Sequence, residues 1–337
     1  MGRLGMKAQS SPSFLLLASK DEFVIRWDVM KKRCKLLNDG DFYTGNMWRY
    51  GFSLWGCRVF LFLLGTGAGL GVEAMAEHVS DEGFLVDTAR VGLFRDAAGR
   101  GEVAGLEGLA LCYFCGKGVP QDFHKAFFWA EKAGKKGDAT SQFILGCLYY
   151  DGKGGVKQDF RKAHEWFALA AGQGNAASQF YLGVLYSEGQ GVRRDDREAF
   201  KWYSLSASAG YADAQDAVGC FYDQGRAVQR DERKALEWMT RAAQQGNADG
   251  QFHLGKLYGR QEKWKEAYHW ASLSAKKGNA EAQYLVGMMH MGGLGTKMNP
   301  GEAVFWWARA AKQGNQDALD MLRKMGKEDL TKDSFFR

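Results

Sequence analysis

The sequence has little net charge of one sign, no apolar run long enough to cross a bilayer, few cysteines and no complete catalytic signature. Each shortage removes a class of function. Lys and Arg number 45 against 39 Asp and Glu, a formal charge of +6. Residues 1–76 carry +4 of that and residues 77–337 only +2, so the body of the chain offers no basic stripe and no nucleic-acid partner is expected. The uncharged run Val59 to Val72 is 14 residues long, whereas a membrane helix needs about 20. Its glycines, Gly65, Gly67, Gly69 and Gly71, miss the G-x-G-x-x-G spacing, because Leu70 and Val72 stand where the third small residue is required. No cofactor is expected from them.

Catalytic machinery is equally incomplete. Ser274-Ala275-Lys276-Lys277 matches S-x-x-K, but neither S-D-N nor K-T-G occurs. The histidines, at 78, 124, 164, 253, 269 and 290, are scattered, and no nucleophile, base and orienting group share one local unit. Cys112 and Cys115 have the spacing of a redox pair or half a zinc site. They fall at the end of a predicted helix just before Gly116, where the dipole is negative and disfavours a thiolate, and only His124 is near in sequence. Buried thiols or an incidental bridge are expected there, with no metal and no catalytic residue.

The first 46 residues show no sustained period and receive no fold; they are an extension or the product of a mis-assigned start. Residues 47–76 read as a signal peptide. Arg49 and Arg58 precede the 14-residue run, and Val72-Glu73-Ala74 and Ala74-Met75-Ala76 follow as cleavage sites. Export to the periplasm or medium is expected. The alternatives are an uncleaved anchor through residues 54–72 with the positive residues inside, or a buried helix in a cytoplasmic protein.

What the sequence does have is repetition. Units start at Glu102, Asp138, Asn175, Tyr211, Asn247, Asn279 and Asn315, spaced by 36, 37, 36, 36, 32 and 36 residues. Each begins with a helix, A, whose apolar positions recur three and four apart, as at Ser178, Leu182, Leu185 and Tyr186. Gly146, Gly183, Gly219, Gly255 and Gly287 recur inside it. Interior glycine costs a helix roughly 1 kcal/mol, which predicts close approach of a second backbone. The second helix, B, carries Ala126, Ala163, Ala199, Ala235, Ala267 and Ala303, each with a tryptophan three residues on. Those six tryptophans are the expected core. Asp122, Asp159, Asp195, Asp231 and Asn299 are predicted N-caps of helix B. Glycines at 137, 174, 210, 246, 278 and 314 end it, and Asp138, Asn175, Asn247, Asn279 and Asn315 cap the next helix A.

The order Ala-Gln-x-x-Leu-Gly-x-x-Tyr, a loop Gly-x-Gly-Val-x-x-Asp, then Ala-x-x-Trp and Ala-Ala-x-x-Gly resembles the Sel-one-like repeat, a relative of the tetratricopeptide repeat, over about 102–314. That resemblance implies an all-α fold, an α/α solenoid or right-handed superhelix of about six helix-pair repeats spanning 84–326. It also implies a non-catalytic interaction scaffold, often in bacterial envelopes. Some secreted relatives carry a paired cysteine bridge in every repeat, which this chain does not, and a β-lactam- or peptidoglycan-acting hydrolase is the rival reading by the same analogy. Terminal capping helices are expected at Phe84 to Gly101, with Leu93 at the tryptophan position, and at Asn315 to Met325. The fifth unit lacks its glycine loop, and Trp264 is expected to cover the gap. Residues 327–337 are expected to form a disordered tail.

By resemblance to tetratricopeptide arrays, the inner face of helix A lines a concave groove at the second, fifth, ninth and twelfth positions of each unit. These give an aromatic stripe, Phe143, Phe180, Phe252 and Tyr284, beside an acidic patch, Asp213, Asp216 and Asp223, with Lys256 further on. Such a face suits a peptide or protein partner with apolar anchors and a basic residue, or a cell-wall component.

Overall fold

In the computed structural model, residues 83–331 are described. The solenoid expectation holds. Fourteen α-helices and no strand occur among the described residues. A leading helix α1, Gly83–Gly99, is followed by six A/B pairs: α2 Val103–Cys115 with α3 Phe123–Gly134, α4 Ala139–Asp151 with α5 Phe160–Gly172, α6 Ala176–Glu188 with α7 Asp196–Ser208, α8 Ala212–Gln224 with α9 Glu232–Gln244, α10 Ala248–Arg260 with α11 Trp264–Lys276, and α12 Ala280–Gly292 with α13 Pro300–Lys312. A final A-type helix, α14, runs Gln316–Lys324. None of these helices is long and apolar enough to cross a membrane. The leader 47–76 and residues 54–72 within it lie outside the described residues.

Helix boundaries follow the capping residues. Asp159 accepts the amides of Arg161 and Lys162, Asp195 those of Arg197 and Glu198, and Asn299 that of Glu302. Asn175, Asn247, Asn279 and Asn315 each accept the amide three residues on. Glu102, Tyr211 and Lys263 make no cap bond, and Tyr211 packs its ring against Phe180 at 5.3 Å.

The glutamine of the Ala-Gln pair solves the opposite end. The last carbonyls of a helix have no intrahelical donor. Gln142, Gln179, Gln215, Gln251 and Gln283 are buried on A helices, and each donates its side-chain amide to the carbonyl eight residues upstream, near the end of the preceding helix B. Gln173, Gln245 and Gln313 then donate to the Oε1 of Gln142, Gln215 and Gln283 at 2.7–2.8 Å. Each junction between units is thereby tied by side-chain amides.

The core departs from expectation in two ways. Of the six tryptophans only Trp306 is buried; Trp129, Trp166, Trp202, Trp238 and Trp270 are half-buried. The buried place belongs to the next residue, filled by Ala130, Phe167, Tyr203, Met239, Ala271 and Trp307. The helix A glycines therefore make room chiefly for a side chain. A Cβ on Gly146, Gly183 or Gly287 would come within 2.5 Å of the ring of Phe167, Tyr203 or Trp307. At Gly219 and Gly255 two of the three nearest atoms are backbone, and at Gly255, opposite the small Ala271, backbone comes nearest, Ala271 N and Ala267 O at 3.1 and 3.2 Å. Where the partner side chain shrinks, the helices close up.

The ends are capped as expected in kind but not in detail. Leu93 is 69% exposed, and Phe94 beside it packs on Gly108 of α2. The tail does not lose structure at once: Glu328–Thr331 forms a 3-10 turn, and Leu330 packs against the last core cluster. In the short fifth unit Trp264 opens α11, packs near Gly259 and joins the core cluster of that unit.

Candidate functional site

Every B helix packs against the A helices on both sides of it. A helices also meet one another across units, most for α8 with α10 and α2 with α4 and only slightly for α4 with α6. The A side is thus the more closely drawn, and it holds nearly all the groups whose pKa is moved by desolvation. Glu107, Cys147, Tyr150, Tyr181, Asp213, Cys220, Asp249, Lys256 and Glu281 are displaced in that way, against His164 and Tyr203 on B helices. Asp249 and Glu281 are exposed at their surfaces, yet burial among their neighbours raises both carboxyls. Water reaches these two side chains while neighbouring protein desolvates them.

The expected aromatic stripe is mostly packing. Phe143 is buried, 5.9 Å from Tyr181, and Tyr181 stacks on Phe167 at 4.9 Å. Phe180 is half-buried against Tyr203 and Tyr211. Phe252 and Tyr284 are half-buried, and the Lys256 ammonium lies over the Phe252 ring at 5.2 Å. Burial lowers the Lys256 pKa.

The expected acidic patch is not a free one. Asp216 is buried and both its oxygens lie 2.9 Å from Nδ1 of His253. Asp223 pairs with Arg260, which donates both guanidinium nitrogens. Asp213 accepts from Nδ2 of Asn247 at 2.5 Å, and burial, then the Asp249 carboxylate, push its pKa up to about 6. Asp249 accepts from Asn279 at 2.8 Å and Glu281 from Asn315 at 2.9 Å. Spacing within one helix brought the acids together, and their partners sit 30 to 37 residues away on the next helix A, which a single-unit reading does not reach. The recurring A-helix phase was the signal that could have placed them.

Cys220 completes this arrangement, with Sγ 3.5 Å from Nδ1 of His253. Asp216, Cys220 and His253 together present three ligand atoms within 4.8 Å of one another. The sequence directed attention to Cys112 and Cys115 instead; both are half-buried. Ser274 is fully buried and its hydroxyl donates to the Ala248 carbonyl at 2.7 Å. Ser206, at the same place two units earlier, donates to Ala176 at the same distance. The S-x-x-K serine is a strut between helices.

The chain resembles solved helical repeat proteins. A Sel1 repeat protein from Oxalobacter formigenes is 33% identical over 69% of this chain and 68% of its own, with a TM-score of 0.59. The c5321 protein of uropathogenic Escherichia coli, described as a protective antigen with an SLR fold, is 35% identical over 68% of this chain, with a TM-score of 0.58. This chain spans 50% of c5321. No curated protein matches. The Sel1 repeat model matches six consecutive segments, 103–138, 139–175, 176–211, 212–247, 248–279 and 280–315, in register with the six helix pairs, and the chain belongs to the Sel1 repeat family.

Proposed function

We propose that this protein is a non-catalytic scaffold that holds a peptide or protein partner against the A-helix face of its last three units. Sel1 repeat proteins are in general protein-interaction scaffolds. The observation that supports this site is the pair Asp249 and Glu281, exposed carboxylates walled by neighbouring helices, with half-buried Lys256, Phe252 and Tyr284 beside them. Acidic and aromatic groups in one depression suit a segment with a basic residue and an apolar anchor. A hydrolase reading has less support, because Ser274 is sealed and its hydroxyl engaged. Export through the leader at 47–76 belongs to the same proposal, with the bacterial envelope as the place of action, and a cell-wall component is the alternative ligand. N-terminal sequencing of mature protein checks the leader; an intact residue 1 in a cytosolic fraction overturns it.

The three aspartates of the patch are poor test positions, since removing them strands His253 and Arg260. Charge reversal at the exposed Asp249 and Glu281 is cleaner. Capture from the native host with Asp249→Lys/Glu281→Lys is expected to lose the partner recovered by the parent chain, with the melting temperature within a few degrees. Equal recovery by both chains places the binding face elsewhere.

A further inference from the structure

Asp216 and Cys220 lie one turn apart on α8 and project from the same face. His253 reaches them from α10, the next helix A. Their contacts with one another converge on one atom. Nδ1 of His253 is 2.9 Å from both oxygens of Asp216 and 3.5 Å from Sγ of Cys220. A nucleophile relay needs the thiol and the carboxylate on opposite nitrogens of the ring, so that one orients it while the other passes the proton. With both on Nδ1, Cys220 is not activated in that way.

Convergence on one atom is what coordination around a shared ion requires. Tetrahedral bonds of about 2.0 Å to nitrogen and 2.3 Å to sulfur set the two donors about 3.5 Å apart. The Sγ to Nδ1 separation already has that value, and the three ligand atoms lie within 4.8 Å of one another, near enough for side-chain rotation to close the rest. The surroundings favour a cation. Asp213 and Asp249 stand beside Asp216, and mutual repulsion of these carboxylates adds to burial in raising the pKa of Asp213 and of Asp249. Thiolate and imidazole together select a zinc-class ion over magnesium or calcium. The side chains of His253 and Asp216 remain 15% and 11% exposed, so the site is reachable from the groove.

We propose that Asp216, Cys220 and His253 bind one zinc-class divalent cation between the fourth and fifth units, with water in the remaining position. Binding takes the thiol proton of Cys220 into solvent and leaves His253 as a neutral imidazole with its proton on Nε2, so that a thiolate, Nδ1 and a carboxylate hold the ion. The ion then bridges α8 and α10 in place of the hydrogen bonds that join them without it. This site does not depend on whether a partner docks in the groove.

The test uses the full chain, stripped with a chelator and titrated with zinc chloride alone in competition with a chromophoric chelator, then with cobalt chloride as a spectroscopic probe. One ion per chain, release of protons on binding and a thiolate-to-cobalt charge-transfer band are expected. Cys220→Ser is expected to lose the band, and His253→Gln and Asp216→Asn to weaken zinc binding by at least about tenfold. Asp216→Asn keeps the side-chain shape and serves if the cysteine variant does not fold, as judged by its helical circular dichroism. A band that persists in folded Cys220→Ser, equal zinc affinity in Asp216→Asn, or no zinc bound by the parent chain each overturns the proposal.

Discussion

The residue that decides how a unit packs is the one after the tryptophan. Its size tracks the space left by the helix A glycine: Phe167, Tyr203 and Trp307 lie on Gly146, Gly183 and Gly287, and the first unit replaces the pair by Ala110 and Ala130. A methyl group added at Gly183 would meet the Tyr203 ring at 2.5 Å. Overpacking of this kind costs roughly 1–3 kcal/mol, against roughly 1 kcal/mol gained in helix propensity. Gly183→Ala is therefore expected to lower the urea midpoint. Gly183→Ala/Tyr203→Ala, which copies the first unit, is expected to lose less than the sum of the two single changes; strict additivity would show that the two residues do not compete for the same space. A second pairing is kept by exchange. The residue after the helix B alanine meets the tyrosine position of the next helix A edge to face: Phe127 with Tyr149, His164 with Tyr186, Phe200 with Tyr222, and Tyr268 with His290, at 79–90° and 5.4–5.9 Å. His290 takes the tyrosine place and Tyr268 meets it there, its hydroxyl 3.1 Å from Nε2 of His290.

At the scale of the element, the first five B helices each end on a side chain of the following helix A. Gln215 donates to the Ala207 carbonyl at 3.3 Å and accepts from Gln245 at 2.7 Å. Gln215→Leu preserves volume and removes both bonds, leaving the Ala207 carbonyl with the Gly210 amide alone. Losing two hydrogen bonds costs about 1–3 kcal/mol, and circular dichroism melts should show that loss at this junction. Substituting the exposed Gln244 on α9 in the same way is expected to shift the melt little; equal effects at the two positions would remove the glutamine tie as a source of stability. The Ala-Gln pair was legible in the sequence as a motif. Its purpose was not, because the accepting carbonyl belongs to the element before it.

Across the whole described region the ionisable groups divide by side. Carboxylates that cap B helices or pair there, Asp122, Asp196 and Asp231, have lowered pKa values through hydrogen bonds from backbone amides or from Arg226. Their contribution is present above the unfolded carboxylate range and is lost as pH falls. Carboxylates of the A side, Glu107, Asp213, Asp249 and Glu281, are raised by burial. Their contribution is complete below pH 4 and is lost as pH rises, for Asp213 between about 4 and 6. His253 is raised by Asp216 and Cys220 against the lowering effect of burial, so its share also declines with rising pH, above its ordinary value. Stability is expected to fall from pH 5 to pH 8. Asp213→Asn keeps an acceptor for Asn247 and removes the charge. It is expected to raise stability at pH 8 by on the order of 2–3 kcal/mol and to change little at pH 4. Melting temperatures of the two chains at both values check this, and a gap independent of pH would contradict it.

The sequence by itself determined the helices, their ends and their order. Hydrophobic period, capping residue and terminal glycine are local, so Asp195 or Asn175 carries its instruction within three residues of where it acts. Tertiary structure alone decided which of two adjacent stripe residues would be buried, placing Phe167 inside and Trp166 half out, because that depends on how two helices cross. It also decided what the acidic face is. Asp213, Asp216 and Asp223 share one side of α8 in any helix, but their partners Asn247, His253 and Arg260 come from the next unit, and only the stacking of α8 on α10 turns a row of charges into pairs.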